Sequence, residues 1–185
     1  MEKQVRLSGS LSIPRLVIGM WQIADMERRQ GVLDPVKTAS FMEPYARAGF
    51  TAFDMADHYG SSEIIAGTFK NSYDDPTSIK LFTKWVPEPG KISKDQVRKA
   101  IETALQRMQQ PTLDLMQFHA WHYPDPSWLD ALFYLDELRE EGLEGWVLVP
   151  IGFILSQEIA HIFDPDESMS GLSLQVIARE PGIGN

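Results

Sequence analysis

"FTAFDMADHYGSSE" (50–63) begins apolar and ends polar, and the change falls at an aspartate. The run "FTAFDM" (50–55) is short and apolar and is followed by turn-forming residues, as buried strands of parallel sheets are. It closes on Asp54, and Tyr59 follows five residues later in a loop. Three other runs share this form: "RLVIGM" (15–20), "SIKLFTKW" (78–85) and "LDLMQFHAW" (113–121). Longer amphipathic stretches separate them. Strand followed by helix, four times over, specifies a parallel α/β sheet.

The helix signals support that alternation. Asp34-Pro35 supplies an N-cap with proline at the first helical position, and Gly49 can end the same helix. Pro44 lies inside it and is expected to kink it, because proline removes a hydrogen bond and clashes with the preceding turn. Ser93 and Gln96 have capping-box spacing ahead of a face made by Val97, Ala100, Ile101, Ala104, Leu105 and Met108. A further helix runs from Asp125-Pro126 to Gly142. After Gly142 the pattern weakens: "EGWVLVPIGFIL" (144–155) is a candidate fifth strand and "SQEIAHIF" (156–163) a short helix. Of the 17 Lys and Arg residues, only Arg179 lies beyond Gly142, and "PGIGN" (181–185) lacks the strand and helix that would frame a phosphate loop.

The 185 residues suffice for one domain with a real core. The polar start "MEKQVRLSGS" has no continuous apolar segment of the secretory kind, and no run approaches a membrane span of roughly 18 residues. With no cysteine, thiol catalysis, disulfides and cysteine zinc sites are excluded, and a cytoplasmic address is expected. A net charge of -9 argues against a nucleic-acid partner, which needs a basic face.

On this map Asp54, Lys84 and His119 each end a successive strand, and Tyr59 sits in the loop after the first of them. In parallel barrels, reactive residues gather at the C-terminal ends of strands. The four also make chemical sense together. A phenol's pKa near 10 is too high for efficient proton transfer at neutral pH, and a nearby ammonium is expected to lower it. A carboxylate compensates the buried lysine. A neutral imidazole donates a hydrogen bond to a carbonyl oxygen and orients it. No metal is needed. A metal site built from Asp54, Asp57, His58, His119 and His122 is a competing reading, but it leaves Lys84 and Tyr59 without roles.

"FDMADHYGSSE" (53–63), "LFTKW" (81–85) and "LMQFHAW" (115–121), with "IGMWQ" (18–22) before them, resemble the aspartate/tyrosine, lysine and histidine motifs of the aldo-keto reductases. The resemblance covers roughly residues 12–142. It implies a (β/α)8 barrel of the TIM type, represented here by about four to five β/α units. It also implies NADPH-dependent reduction of an aldehyde or ketone. Tyr59 would be the general acid, Lys84 would tune it, Asp54 would pair with Lys84 and border the nicotinamide ribose, and His119 would orient the carbonyl. Met20 and Trp21 would lie near the cofactor. Trp21, Trp85 and Trp121 would line an apolar substrate mouth, with core packing the alternative for Trp85.

The resemblance stops near Gly142. The family's fifth strand bears a Ser-Asn pair for the carboxamide, whereas this chain reads Ile151-Gly152-Phe153. Its later stacking aromatic and cationic phosphate grip have no counterparts here. Residues 1–142 are therefore read as the N-terminal part of such a barrel and 143–185 as a divergent tail on a truncated member. The alternative function is a catalytically inactive product without a competent cofactor site. An open barrel edge would favour self-association.

Overall fold

The computed structural model describes residues 4–6, 12–22, 25, 33–119, 127–141 and 147–148. Strands β1 (Gln4–Arg6) and β2 (Ser12–Pro14) form an antiparallel hairpin. Five strands then make one parallel sheet in sequential order: β3 (Ile18–Gly19), β4 (Ala52–Asp54), β5 (Lys80–Trp85), β6 (Leu115–Phe118) and β7 (Val147–Leu148). The sequential parallel order is that of a barrel wall, and β7 realises two residues of the expected fifth strand. Backbone bonds carry the ladder past the strand ends, with Met55 N–H donating to Phe82 C=O at 2.8 Å and His119 N–H to Trp85 C=O at 2.9 Å.

The hairpin is not among the expected elements, although "VRLSGSLSI" (5–13) alternates apolar and polar residues on either side of Gly9. The helix expected over 35–48 is also different. It is divided into α1 (Pro35–Ala39), a 3-10 turn (Ser40–Met42) and α2 (Glu43–Arg47). Pro44 falls in the first turn of α2, where its missing N–H costs nothing, so the chain restarts the helix instead of kinking it. Asp34 caps α1 through Val36 N–H and Lys37 N–H, and Gly49 leaves α2 at φ +93°.

Helices α3 (Ser62–Ser72), α4 (Lys94–Met108) and α5 (Ser127–Glu140) complete the outer layer, with α1 on α3, α3 on α4 and α4 on α5. The reciprocal Ser93–Gln96 capping box starts α4 as expected. Residues 125, 126 and 142, which the sequence reading placed at the ends of α5, lie outside the described residues, as do 149–185.

Strand alternation sorts the sheet into two faces. Phe53, Leu81, Trp85, Met116 and Phe118 belong to the core between sheet and helices, with Ile65, Phe69, Val97, Ile101 and Leu135 from the helical side. Ala52, Phe82 and Leu115 alternate with them and are buried on the inner face. Asp54, Lys84 and Gln117 share that inner parity. The fold thus aims three polar side chains inward from three adjacent strands. Among the described residues, no helix is long and apolar enough to cross a membrane.

Candidate active site

Asp54 is the last residue of β4, Lys84 the penultimate residue of β5, and His119 the first after β6. The Lys84 ammonium donates to Asp54 Oδ2 at 2.5 Å and to the Met55 carbonyl at 2.8 Å. It also lies 5.4 Å from the centroid of the Tyr59 ring. Gln117 donates through Nε2 to the other Asp54 oxygen at 2.5 Å. Both carboxylate oxygens are held, and the lysine is fixed from two sides.

Gln117 is not among the residues the sequence singles out, because an uncharged residue inside a strand carries no chemical signal by itself. The signal that could have found it is its place two residues before His119, on the same face of the strand.

The loop carrying Tyr59 is bound to the scaffold. Asp57 N–H donates to Lys84 C=O at 2.9 Å, and Val86 N–H donates to Asp57 Oδ2 at 3.1 Å. Ser61 N–H donates to Asp25 Oδ1 at 2.8 Å, tying this loop to the one after β3. Burial raises the Asp25 pKa, but hydrogen bonds from Ser61 and Leu33 outweigh it and leave the carboxyl below its ordinary value. Trp21, from the same β3 loop, meets the Tyr59 ring edge-on at a centroid distance of 4.8 Å.

The electrostatics correct one expectation. Lys84 was expected to draw the Tyr59 pKa down. Instead burial pushes it up, with the Asp54 and Asp57 carboxylates adding to the rise. The lysine stands over the ring face and directs its charge to Asp54, so it does not offset the burial. The phenol therefore keeps its proton throughout neutral pH.

His119 shifts the other way. Burial, then the charges of Lys84 and His58, hold it below its ordinary 6.5, so the imidazole is neutral at pH 7. Below about pH 6.5 the unfolded chain binds this proton before the folded one, so stability is expected to fall as the pH drops towards the folded-state value. Melting temperatures at several pH values should show that slope, and His119→Gln should flatten part of it. An equal slope in the variant would assign it to other groups.

Other expected residues are not gathered here. Met20, expected near the cofactor, has no exposed surface and packs in the core. Trp85 follows Lys84 on the strand and must face the opposite way. It is buried in the helix-side core, with its ring 5.7 Å from that of Phe118, and does not line the inner mouth. Trp21 remains 41% exposed beside Tyr59. Trp121 and His122 lie outside the described residues. Asp57 is paired with His58 Nδ1 at 2.9 Å while Asp54 is held by Lys84 and Gln117, so the residues of the metal reading are divided. Among the described residues no His, Asp and Glu cluster suited to a metal is found.

A cleft of about 390 Å³ opens on the other side of β5, between α4 and the loop 86–92. It touches Asp57 and Lys84 but none of Asp54, Tyr59 or His119, and is a separate feature. At its inner end Glu63, 1% exposed, accepts from Thr83 Oγ1 at 2.6 Å and pairs with Arg107 at 3.1 Å. Arg107 also donates to Asp57 C=O at 2.9 Å, so it supports the tyrosine loop from behind. Arg107→Met would strand a buried carboxylate. We expect a loss of about 2–3 kcal/mol in urea unfolding, below the roughly 3–5 kcal/mol of a fully buried pair because water reaches the arginine. A change under about 0.5 kcal/mol would mean that Glu63 finds another partner.

A parallel β/α sheet whose consecutive strands end at Asp54, Lys84 and His119, with Lys84 paired to Asp54 and set over the Tyr59 ring, defines a barrel of the TIM type. The chain belongs to the aldo/keto reductase family, whose sequence model matches residues 15–144. It is 30% identical over 161 residues to aflatoxin B1 aldehyde reductase member 2 of Rattus norvegicus, an alignment covering 85% of this chain and 41% of that protein. It is 26% identical over 133 residues to the NADP-dependent D-sorbitol-6-phosphate dehydrogenase of Malus domestica, covering 69% of this chain and 37% of the relative. The thermostable aldo-keto reductase Tm1743, solved with the inhibitor epalrestat, superposes with a TM-score of 0.68 at 21% identity, over 85% of this chain and 57% of that one. A Bombyx mori aldo-keto reductase in complex with NADP superposes with a TM-score of 0.60 at 19% identity, over 79% and 49%. The structural neighbours are TIM barrels, and the chain spans about two fifths of the length of the curated relatives it matches.

Proposed function

We propose that the site reduces an aldehyde or ketone to an alcohol with NADPH as hydride donor. The observation that carries this reading is the convergence of Lys84 on Asp54 at 2.5 Å and over the Tyr59 ring at 5.4 Å. Tyr59, protonated at neutral pH, donates its proton to the carbonyl oxygen. Neutral His119 donates a hydrogen bond to the same oxygen and fixes its position. Lys84, held by Asp54 and the Met55 carbonyl, fixes the Asp54 carboxylate beside the tyrosine loop.

The residues present fit the nicotinamide end of such a cofactor. Asp54 and Trp21 keep exposed surface beside Tyr59, with the Asp54 side chain 27% exposed. Asp54 and Trp21 would hold the nicotinamide riboside, and the cofactor when bound supplies the hydride to the carbonyl carbon. NADP in the name of one relative and in the complex of one structural neighbour supports this choice.

A second reading is a chain that keeps the proton-donating residues without a competent cofactor site, since the sequence carries Ile151-Gly152-Phe153 where the resemblance calls for a Ser-Asn pair. Titration of NADPH fluorescence distinguishes the two. Saturable binding together with carbonyl-dependent NADPH oxidation is expected. Folded protein that binds no NADPH would rule out the reductase reading.

A further inference from the structure

Tyr59 is held at one remove. Its own backbone bonds, to Ala56 C=O and from Ser62 N–H, stay between neighbours in sequence. Bonds that join its loop to other elements fall two residues to either side of it. On one side Ser61 N–H meets the Asp25 carboxylate. On the other stands Asp57, with its N–H, its C=O and both carboxylate oxygens in use. The N–H donates to Lys84 C=O at 2.9 Å, and the C=O accepts from Arg107 Nη1 at 2.9 Å. Oδ2 accepts from Val86 N–H at 3.1 Å. Oδ1 accepts from His58 Nδ1 at 2.9 Å, the carboxylate being an acceptor only.

These bonds tie one loop residue to two separate elements. Lys84 lies in β5 and Val86 just beyond it, whereas Arg107 belongs to the last turn of α4. Arg107 is itself anchored by Glu63, which is buried in the first turn of α3 and accepts from Thr83 of β5. Turning Arg107 away would leave that buried carboxylate without its counter-charge, which is costly. The His58 ring, set through Nδ1, meets the Tyr59 ring edge-on at a centroid distance of 4.8 Å. Asp57 therefore bears on the tyrosine twice, through the backbone and through a ring.

We propose that Asp57, locked to β5 and to the Arg107–Glu63 pair, is the positioning residue that sets the Tyr59 hydroxyl for proton transfer. The role rests on the carbonyl-reduction reading and acts through Tyr59. A donor must stand within hydrogen-bond reach of the oxygen it protonates, and a misplacement of about 1 Å can cost about 100-fold in rate. Residues on the helix side of the sheet thus govern a proton delivered on its inner face.

Asp57→Ala removes both carboxylate bonds, whereas Asp57→Asn keeps the shape and an acceptor for Val86. In the alanine variant kcat for carbonyl-dependent NADPH oxidation should fall by about tenfold to 100-fold, with KM for NADPH changed less than about threefold. The asparagine variant should return kcat to within about threefold of the unaltered protein. It also removes a charge. Burial and Asp54 raise the Tyr59 pKa and Asp57 adds to the rise, so losing the Asp57 charge lowers that pKa. Lys84 over the ring and His58 at its edge stay in place. The alkaline decline of reduction should then begin at a lower pH in Asp57→Asn, a shift that a purely structural residue would not cause.

Hydrogen exchange gives an arm independent of turnover. The bonded amides of Asp57 and Tyr59 should exchange about tenfold faster in Asp57→Ala, with β4 and β5 unchanged, and at the native rate in Asp57→Asn. Asp57→Ser, whose hydroxyl cannot reach both partners, supplies the same comparison should the alanine variant fail to fold. If the unaltered protein oxidises no NADPH, the reductase reading fails, while exchange still decides whether Asp57 holds the tyrosine loop. Native kcat in Asp57→Ala, equal impairment of the alanine and asparagine variants, or exchange that quickens across the whole sheet would each overturn the assignment.

Discussion

Replacing Gly67 with alanine is expected to lower the unfolding free energy by about 3 kcal/mol or more. A Cβ on Gly67 would lie 2.0 Å from the Met108 carbonyl oxygen and 2.4 Å from its carbonyl carbon. Both are backbone atoms at the end of α4, so no side-chain rotation relieves the contact. Either α3 or the last turn of α4 must move. That turn is constrained, since Met108 is in the core and Gln109 caps the helix with φ at 53°. The cost then spreads to the packing of Ile65 and Phe69 on the sheet. The relevant comparison is Gly19→Ala, where a Cβ meets nothing within 4 Å and stability should change by less than about 0.5 kcal/mol. Urea midpoints of the two variants measure the difference. Equal midpoints would mean that the α3–α4 approach is softer than its geometry implies.

Tyr59→Phe carries the largest expected effect on chemistry. Carbonyl turnover should fall by about 100- to 10,000-fold, the usual worth of a positioned proton donor. NADPH binding should change little, because the ring and its edge-on contact with Trp21 survive the loss of the hydroxyl. The raised pKa of Tyr59 makes a second demand on the same experiment. With the phenol kept protonated by burial and by Asp54 and Asp57, reduction by the unaltered protein should not decline with rising pH until above the ordinary phenol value of about 10. A decline near neutrality, or retained turnover in the phenylalanine variant, would remove Tyr59 as the donor.

Much of the site was legible because of where its residues stand in the sequence. Asp54, Lys84 and His119 close three apolar runs, and the parallel sheet brings consecutive run ends together. Gln117 escaped notice because an uncharged residue within a strand carries no chemical signal until its partner is known. Trp85 was ambiguous for a related reason. Its neighbour Lys84 is inward, so it must be outward, but the face became definite only once Lys84 was found on Asp54. The division of the first helix at Ser40 gave little warning, since Pro44 is compatible both with a kink and with a fresh helical start.

Local pattern alone determined the strand–helix alternation, the N-caps at Asp34 and Ser93, and the candidate identities of Asp54, Tyr59, Lys84 and His119. These depend on residue spacing and on bonds between near neighbours, which the chain carries within itself. Tertiary structure decided the rest: which oxygen of Asp54 each partner holds, that Glu63 is buried against Arg107, and that Tyr59 titrates upward despite a lysine close by. Those outcomes depend on distance and solvent exclusion among groups up to 63 positions apart, as Asp54 and Gln117 are. A carboxylate or a phenol takes its character from what the fold brings against it.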